Sequence, residues 1–596
     1  MVFVFWGIVV VFYVIGAVGN NEIRLAGNDD YMRFVQVYDW VNGAGWHDVT
    51  QKRLNPPDGT VMHWSRLPDV PLAMILKAVE PFTGRPVATK VTAIAVPALF
   101  LLGMLLLSGW MARPLIGRRN MTLAVLITML SLAVLINFFP GRVDHHNWQL
   151  LTAGLSLGLL LRMILVPGHR GIAVLAGVIH TVGLWVGAEI LPWIAAFNAM
   201  LCLHWILRGD RTGQAAFQYA AAFAVAAVVL LPVAHPSGNL FSVACDAFSI
   251  AFVGGAVSVF LFWGIIRFLK DHAASYGARL AGTLVAAIAA AAFLFILFPD
   301  CRAGPYGQVD HLLNDLWIAK VGATRSVAFL FRSDPWLTPV WVLGPLAATC
   351  ATVWALARSR GRRFSLWLAI SGFVLLSMVM GFSRIRMLAF AQLFAIVPLA
   401  WLLGLPWHFV GEHWPGWRRG VARFALLLLF GPLFWFAGVL MSFQDKAQEH
   451  QGAHGAPIAR GCDIQAVSST LNARPGLGDQ PKVIAGFIDF GAKLLFYTPH
   501  AVLAGQYHRN NEGNLAVVHL FTAEDEDTAR DIVTRRKVDL VLICTAAPEM
   551  KLYKGKTARP SFVDRLGDGD LPPWLRSLPV PAGTTFKLFQ VVPVWS

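Results

Sequence analysis

The chain has 596 residues, of which 56% are hydrophobic and 14% are charged, and its mean hydropathy is +0.58. Soluble domains carry about 25% charged residues, so this composition excludes a soluble cytosolic enzyme and a disordered or fibrous protein. The net charge of +15 does not indicate nucleic acid binding, because the basic residues cluster in short connections between apolar segments. The chain is therefore predicted to be a polytopic α-helical membrane protein.

Thirteen apolar segments are each near the length of about 20 residues that crosses a bilayer. Alternate short connections between them hold sixteen basic residues, against three (Arg142, Arg384 and Arg386) on the other side. The positive-inside rule places the crowded side in the cytoplasm and the C-terminus outside the inner (plasma) membrane. The first segment is read as a retained helix because it lacks a basic start and a cleavage site. The segments are 2–19, 87–109, 121–139, 148–166, 172–189, 190–207, 214–234, 247–266, 279–299, 336–357, 365–383, 388–405 and 422–442.

Polar sequence collects on the outer side, in loops 20–86 and 300–335 and in the tail 443–596. We therefore predict a transmembrane domain over 1–442 and an extracytoplasmic α/β domain over 443–596. Within the tail, the patterns predict buried strands at Lys482–Phe487 and Val538–Cys544 and an amphipathic helix at Glu524–Arg536. Cys462 and Cys544 either pair on this oxidising side or remain isolated thiols.

Two outer segments carry the candidate chemistry. Asp29 and Asp30 follow the first apolar segment and either cap a helix or serve a site, and His63 beside Trp64 is typical of interfacial packing. The turn Pro140–Asn147 crowds polar groups at membrane depth, where they tend to be paired or functional. Asp144 and His146 in this turn are predicted to bind a divalent cation, Mg²⁺ or Mn²⁺ from the carboxylate, with the imidazole leaning toward Mn²⁺, Fe²⁺ or Zn²⁺.

With these motifs, the chain resembles the archaeal and bacterial catalytic subunits of oligosaccharyltransferases, in the GT-C superfamily of membrane glycosyltransferases. That family has thirteen membrane helices followed by an extracytoplasmic domain. Asp29-Asp30-Tyr31-Met32 is similar to its Asp-Pro-Tyr-Tyr motif, Asp144-His145-His146 matches its Asp-His-His motif, and residues 57–64 resemble an archaeal stretch whose histidine joins the metal site.

The resemblance implies a role for each matching residue. Mn²⁺ or Mg²⁺ is expected on Asp29, Asp30, His63, Asp144 and His146, with Asp29, Asp30 and Asp144 catalytic. Arg386, with Arg384 nearby, is expected to bind the donor phosphate, and Asp489, Phe490 and Gly491 resemble part of the acceptor-side motif Trp-Trp-Asp-Tyr-Gly.

Two departures concern the acceptor. Phe487 and Ile488 replace the paired tryptophans that recognise the glycosylation sequon, and residues 318–325 offer no clear counterpart to the acceptor-binding glutamate. The donor half of the site is therefore expected to be kept and the asparagine-recognition half to be altered.

The predicted function is transfer of a sugar or oligosaccharide from a polyprenyl phosphate or diphosphate to a protein, lipid or polysaccharide acceptor at the outer membrane surface. If the acceptor is a hydroxyl, Asp29 or Asp30 takes its proton, and the sequence does not choose between them. Two alternatives are a transferase that moves one sugar from a polyprenyl monophosphate to a lipid or surface polymer, and a non-enzymatic transporter of lipid-linked glycans. Related halves, and helices broken by Gly or Pro at midplane, are typical of transporters, and the sequence shows neither.

Overall fold

The structure is a computed structural model that describes residues 2–18, 24–307, 309–318, 325–335, 337–409, 414–430, 461–473, 477, 480–554 and 559–592. Long apolar helices dominate the first 430 residues. They and the shorter helices between them are α1 (Val2–Val18), α2 (Asn28–Val41), α3 (Asp69–Thr83), α4 (Arg85–Ile116), α5 (Met121–Leu130), α6 (Leu132–Leu135), α7 (His146–Leu165), α8 (Arg170–Val186), α9 (Leu191–Arg208), α10 (Asp210–Ala234), α11 (Ile250–Phe268), α12 (Tyr276–Leu297), α13 (His311–Leu316), α14 (Val327–Ser333), α15 (Thr338–Arg358), α16 (Gly361–Ser383), α17 (Leu388–Phe409) and α18 (Gly416–Phe430).

Nine helices of the described chain are long and apolar enough to cross a membrane, or ten if a bent pair counts as one. The shorter apolar helices Val2–Gly16 and Arg170–Val186 coincide with the first and fifth predicted segments. The thirteenth segment, 422–442, begins in α18 and continues outside the described residues. The polytopic helical class is confirmed, while the number thirteen and the domain boundary at 442 stay predictions.

The third predicted segment bends by 76° between α5 and α6. A bend frees backbone groups that need partners inside a membrane protein. Gln392 of α17 supplies one, since its side-chain oxygen accepts the Ala133 N–H at 2.8 Å while its amide donates to the Val340 carbonyl at 3.0 Å. One side-chain hydrogen bond from α17 thus satisfies a backbone donor at the bend, and the same side chain ties the bend to α15.

The tail folds around a mixed five-stranded sheet. In spatial order its strands are β4 (Ala501–Val502), β3 (Val483–Gly486), β5 (Leu540–Cys544), β7 (Phe586–Val591) and β6 (Leu575–Leu578). Strand β3 runs parallel to β4 and β5. The predicted strands and helix are confirmed as β3, β5 and α22, and every residue of β5 is buried. A disulfide joins Cys462 to Cys544, one of the two alternatives left open by the sequence. The elements are α19 (Ile464–Ala473), β3 (Val483–Gly486), α20 (Gly491–Tyr497), β4 (Ala501–Val502), α21 (Asn511–Thr522), α22 (Glu526–Arg535), β5 (Leu540–Cys544), α23 (Met550–Tyr553), α24 (Phe562–Asp568), β6 (Leu575–Leu578) and β7 (Phe586–Val591).

The first loop, defined here as residues 24–84, packs against the tail and shares one hydrophobic core with it. It contains α2, α3 and the short strands β1 (Thr50–Gln51) and β2 (Thr60–Val61). Arg53 donates to the carbonyls of Leu495 and Thr498 at 2.9 Å each, and the hydroxyls of Tyr31 and Tyr497 lie 3.1 Å apart. These contacts fix the start of α2, which carries Asp29 and Asp30, against the tail.

Candidate metal and phosphate site

The turn before α7 reaches the first loop because residue 141 is glycine. Gly141 has a φ of +83°, and a Cβ there would lie 3.1 Å from the carbonyl oxygen of Arg24. Its N–H donates to the Ala93 carbonyl at 2.8 Å, and its carbonyl accepts the Ala26 N–H at 3.3 Å. Glycine tolerates this conformation without the steric cost that a side chain would add. The turn is thereby held beside the segment that leads into α2.

Asp30 joins the two candidate motifs. Its buried Oδ1 accepts the backbone N–H groups of Val143 and Asp144 at 2.7 and 2.9 Å, and its Oδ2 accepts from Arg142 at 3.2 Å. Neither aspartate caps α2, since the residue preceding the helix is Gly27 and no side-chain cap bond is present. The capping alternative is therefore wrong, and Asp30 instead holds the Asp144 turn in place.

Asp29, Asp144 and His146 converge on one point. One ligand atom from each lies within 4.8 Å of the other two. Asp144 Oδ1 accepts the His146 N–H at 3.0 Å, whereas its Oδ2 is buried and accepts no hydrogen bond from the described residues. Two carboxylates and an imidazole suit a divalent cation such as Mn²⁺. The orphaned oxygen and this donor set fit the metal that the sequence predicts.

The electrostatics of the two carboxylates differ. Burial raises the pKa of Asp29, and the neighbouring Asp144 raises it further, while Arg142 and Arg386 act in the opposite direction. Burial also raises the pKa of Asp144, but His146 and Arg142 more than offset it and hold that pKa below its ordinary value. The Asp144 carboxylate is consequently ionised and available as a ligand.

Arg386 lies beside the candidate metal ligands and is bound by Glu189, a residue for which the sequence predicted no function. Its Nη2 donates to Glu189 Oε1 at 3.2 Å, and its positive charge acts to lower the pKa of Asp29. Glu189 Oε2 accepts from Gln149 Nε2 at 2.6 Å, and Gln149 Oε1 lies 2.9 Å from His146 Nδ1. Arg384, two residues before Arg386, is exposed. Glu189 was missed because its partners are distant in sequence.

His63 was predicted to bind the same cation, but in the structure it lies in a second group, with Asp246 and His508, and not with Asp29, Asp144 and His146. The rings of His63 and His508 are 4.5 Å apart, and Asp246 accepts from His508 and twice from Arg509 at 2.6 Å each. The charge of Arg509 opposes a cation there. This group instead connects the loop before α11 to the tail, through the contacts of Asp246 with His508 and Arg509. The same loop is tied by a disulfide from Cys245 to Cys301.

The predicted acceptor-side residues border the metal candidates. Asn28 Nδ2, one residue before Asp29, donates to the Asp489 carbonyl at 3.1 Å. Glu549 accepts the Ile488 and Asp489 N–H groups at 3.0 Å each, and Phe490 and Gly491 are buried beside them. Phe487 and Ile488 are each 1% exposed. The side chains at the positions of the family's paired tryptophans thus belong to the core of the tail.

Solved structures with the same fold come from the archaeon Archaeoglobus fulgidus. The oligosaccharyltransferase AglB in complex with an inhibitory peptide and a dolichol-phosphate matches with a TM-score of 0.66 and 15% identity, over 88% of this chain and 66% of that one. An oligosaccharyltransferase in complex with Zn and sulfate matches with a TM-score of 0.61 and 13% identity, over 88% of this chain and 64% of that one.

A third structure from the same organism, tethered to an acceptor peptide containing the NVT sequon, matches with a TM-score of 0.64 and 14% identity, over 87% of this chain and 65% of that one. This chain therefore spans just under two thirds of the length of these proteins. No protein-family model matches the sequence, and no curated protein matches it. The resemblance inferred from the motifs is confirmed at the level of the fold.

Proposed function

We propose that the protein is a membrane glycosyltransferase of the GT-C type, which moves a sugar or oligosaccharide from a polyprenyl phosphate or diphosphate to an acceptor at the outer membrane surface. The observation that supports this most strongly is the convergence of Asp29, Asp144 and His146, with ligand atoms within 4.8 Å of one another, beside Arg386. A cation site next to an arginine suits a phosphate leaving group.

Asp29, Asp144 and His146 would hold a divalent cation, which when bound supplies positive charge where the departing phosphate gains negative charge. Arg386 binds the same phosphate with its guanidinium, whose side chain is 28% exposed and pairs with Glu189 on one edge. Opposing charge is worth more in this partly dry setting than in water. Arg142 neutralises Asp30 and Asp144 and so keeps the turn in position.

Between the two adjacent aspartates, Asp29 is the better candidate to accept the proton of a hydroxyl acceptor. Both oxygens of Asp30 already accept hydrogen bonds, while the described residues donate none to the carboxylate of Asp29. A general base must offer a free lone pair within reach of the proton it removes. Asp30 then acts as a positioning residue.

A second candidate function differs in the acceptor. Because Phe487 and Ile488 are buried in the tail, they do not offer the exposed aromatic surface expected of a sequon-binding motif. This favours a lipid or surface polysaccharide as acceptor, with a single sugar arriving on a polyprenyl monophosphate. Mass spectrometry of the glycans lost when the gene is deleted distinguishes the two acceptor classes.

The test is a transfer assay with purified protein and a polyprenyl-linked sugar. Asp144→Ala should abolish consumption of the donor, and chelation should stop the unaltered protein until Mn²⁺ or Mg²⁺ is restored. Asp525→Ala is a matched control, since Asp525 also accepts a backbone N–H at a helix start (2.7 Å) but lies on the tail surface. Full turnover by Asp144→Ala, or full activity in chelator, would contradict the proposal. A transporter would move the donor without consuming it.

A further inference from the structure

A chain of side-chain hydrogen bonds runs from the candidate phosphate-binding arginine to a candidate metal ligand. Glu189 Oε1 accepts from Arg386 at 3.2 Å and Glu189 Oε2 accepts from Gln149 Nε2 at 2.6 Å. Gln149 Oε1 lies 2.9 Å from His146 Nδ1. Gln149 follows His146 by three residues on α7, so both side chains lie on one face of the helix.

The chemistry of these groups fixes which atom donates and which accepts in each hydrogen bond of this series. A carboxylate beside a guanidinium only accepts hydrogen bonds, so Glu189 turns the NH₂ group of Gln149 toward itself. The Gln149 oxygen then faces His146 Nδ1, which must carry the proton. In the neutral ring, the lone pair is left on Nε2, the nitrogen that lies 3.8 Å from Asp144 Oδ2. Metal-binding histidines depend on such partners for tautomer and ring orientation.

The absence of a side chain at Gly187 leaves the space that the hydrogen bond between Gln149 and Glu189 needs. A Cβ at residue 187 would lie 2.8 Å from Gln149 Nε2 and 2.9 Å from Glu189 Oε2, between the two groups that share a hydrogen bond. The φ of Gly187 is 174°, which any residue adopts, so the requirement for glycine is one of space. A side chain here would push the amide and the carboxylate apart.

We infer that Glu189 and Gln149 are positioning residues that hold His146 in the tautomer able to bind a cation, and that Glu189 fixes Arg386 at the same time. The inference rests on the cation site of the proposed function. It adds that the metal half and the phosphate half of the site are coupled through one carboxylate. Disturbing Glu189 should therefore weaken cation binding although Glu189 is not itself a ligand.

The test measures Mn²⁺ binding alone, by electron paramagnetic resonance titration of the full chain in detergent without any donor. Glu189→Gln leaves one oxygen for two donors, so either Arg386 or Gln149 loses its acceptor. We expect about 10-fold weaker Mn²⁺ binding, and a similar loss in Gly187→Ala. Ser156→Ala is the matched control. Ser156 lies elsewhere on α7, and its replacement removes a buried side-chain hydrogen bond to His180 (2.9 Å). This variant should bind Mn²⁺ like the unaltered protein.

A double variant tests the direction of the chain. In Glu189→Gln with Gln149→Glu, the carboxylate at 149 accepts from His146 and from the amide at 189, whose oxygen accepts from Arg386. Mn²⁺ affinity should return to within a few-fold of the unaltered protein, which a purely structural role of Glu189 would not produce. Unchanged affinity in both Glu189→Gln and Gly187→Ala, or no recovery in the double variant, would overturn the inference.

A third result concerns the unaltered protein. If it binds no Mn²⁺, the inference fails, while consumption of a lipid-linked donor in chelator would show that glycosyl transfer proceeds without this cation. The two proposals therefore fail by different measurements.

Discussion

Substitutions at Asp29 and Asp30 should affect different properties of the protein, although the residues are adjacent. Asp30→Asn keeps an oxygen for the N–H groups of Val143 and Asp144 but turns an NH₂ toward Arg142, which loses its 3.2 Å ion pair. Breaking a buried pair by removing one partner costs about 3–5 kcal/mol. Arg142 is 24% exposed and keeps Asp144 at 3.6 Å, and burial raises the pKa of Asp30 to about 7 despite this arginine. We therefore expect less than that range, about 2 kcal/mol, which is the cost of leaving the guanidinium without one acceptor.

Asp29→Asn should not lower the stability of the folded protein. Its half-buried carboxylate lies near Asp144, and desolvation and this neighbour both raise its pKa, so ionised Asp29 costs free energy in the folded protein. Removing that charge should leave the metal-free protein as stable as before, or slightly more stable, while Mn²⁺ binding and glycan transfer are lost.

The assay compares thermal unfolding in chelator with Mn²⁺ binding for both variants. Asp30→Asn should lower the melting temperature by about 5 °C and retain weakened Mn²⁺ binding, whereas Asp29→Asn should unfold like the unaltered protein and bind no Mn²⁺. A destabilised Asp29→Asn together with a stable Asp30→Asn that no longer binds Mn²⁺ would refute the assignment of ligand and positioning roles.

Three further predictions concern how the loops and the tail are held. Burial raises the pKa of Asp246, but hydrogen bonds from Arg509 and His508 more than offset it and lower that pKa. The ionised carboxylate therefore stabilises the fold above its ordinary pKa near 4, and this stabilisation is lost progressively as the pH falls below that value. Asp246→Asn should cost about 2 kcal/mol at neutral pH and raise hydrogen exchange in the loop before α11; unchanged exchange would contradict this. Arg53→Met removes the donor to the Leu495 and Thr498 carbonyls and should speed proteolysis at the junction of first loop and tail; a wild-type digestion rate would argue against that contact. Gly141→Ala should cost about 1–3 kcal/mol through its positive φ and reduce donor consumption, which an alanine variant of full stability and activity would exclude.

Local hydrophobic patterns in the sequence predicted much of the fold. The buried strand β5 and the charged helix α22 were predictable because their hydrophobic periods are visible over a few residues. The bend between α5 and α6 was not, because one of its backbone donors, the Ala133 N–H, is satisfied by Gln392, more than 250 residues later. The same holds for the Cys245–Cys301 disulfide, which joins two separate loops.

The candidate site was predictable where a compact motif carries it. Asp144 and His146 stand two residues apart, and the family resemblance brought Asp29 beside them. Glu189 carried no such signal, since its partner Arg386 is 197 residues away. A single carboxylate at the outer end of an apolar segment is nevertheless costly near hydrocarbon, which is the one local sign of a role.

We propose that Asp29, Asp144 and His146 hold one divalent cation beside Arg386. The most direct measurement is anomalous diffraction from crystals of the full chain grown with Mn²⁺. We expect a manganese peak bonded to those three side chains. A peak at His63, Asp246 and His508 instead, or no peak at either group at millimolar Mn²⁺, would contradict it.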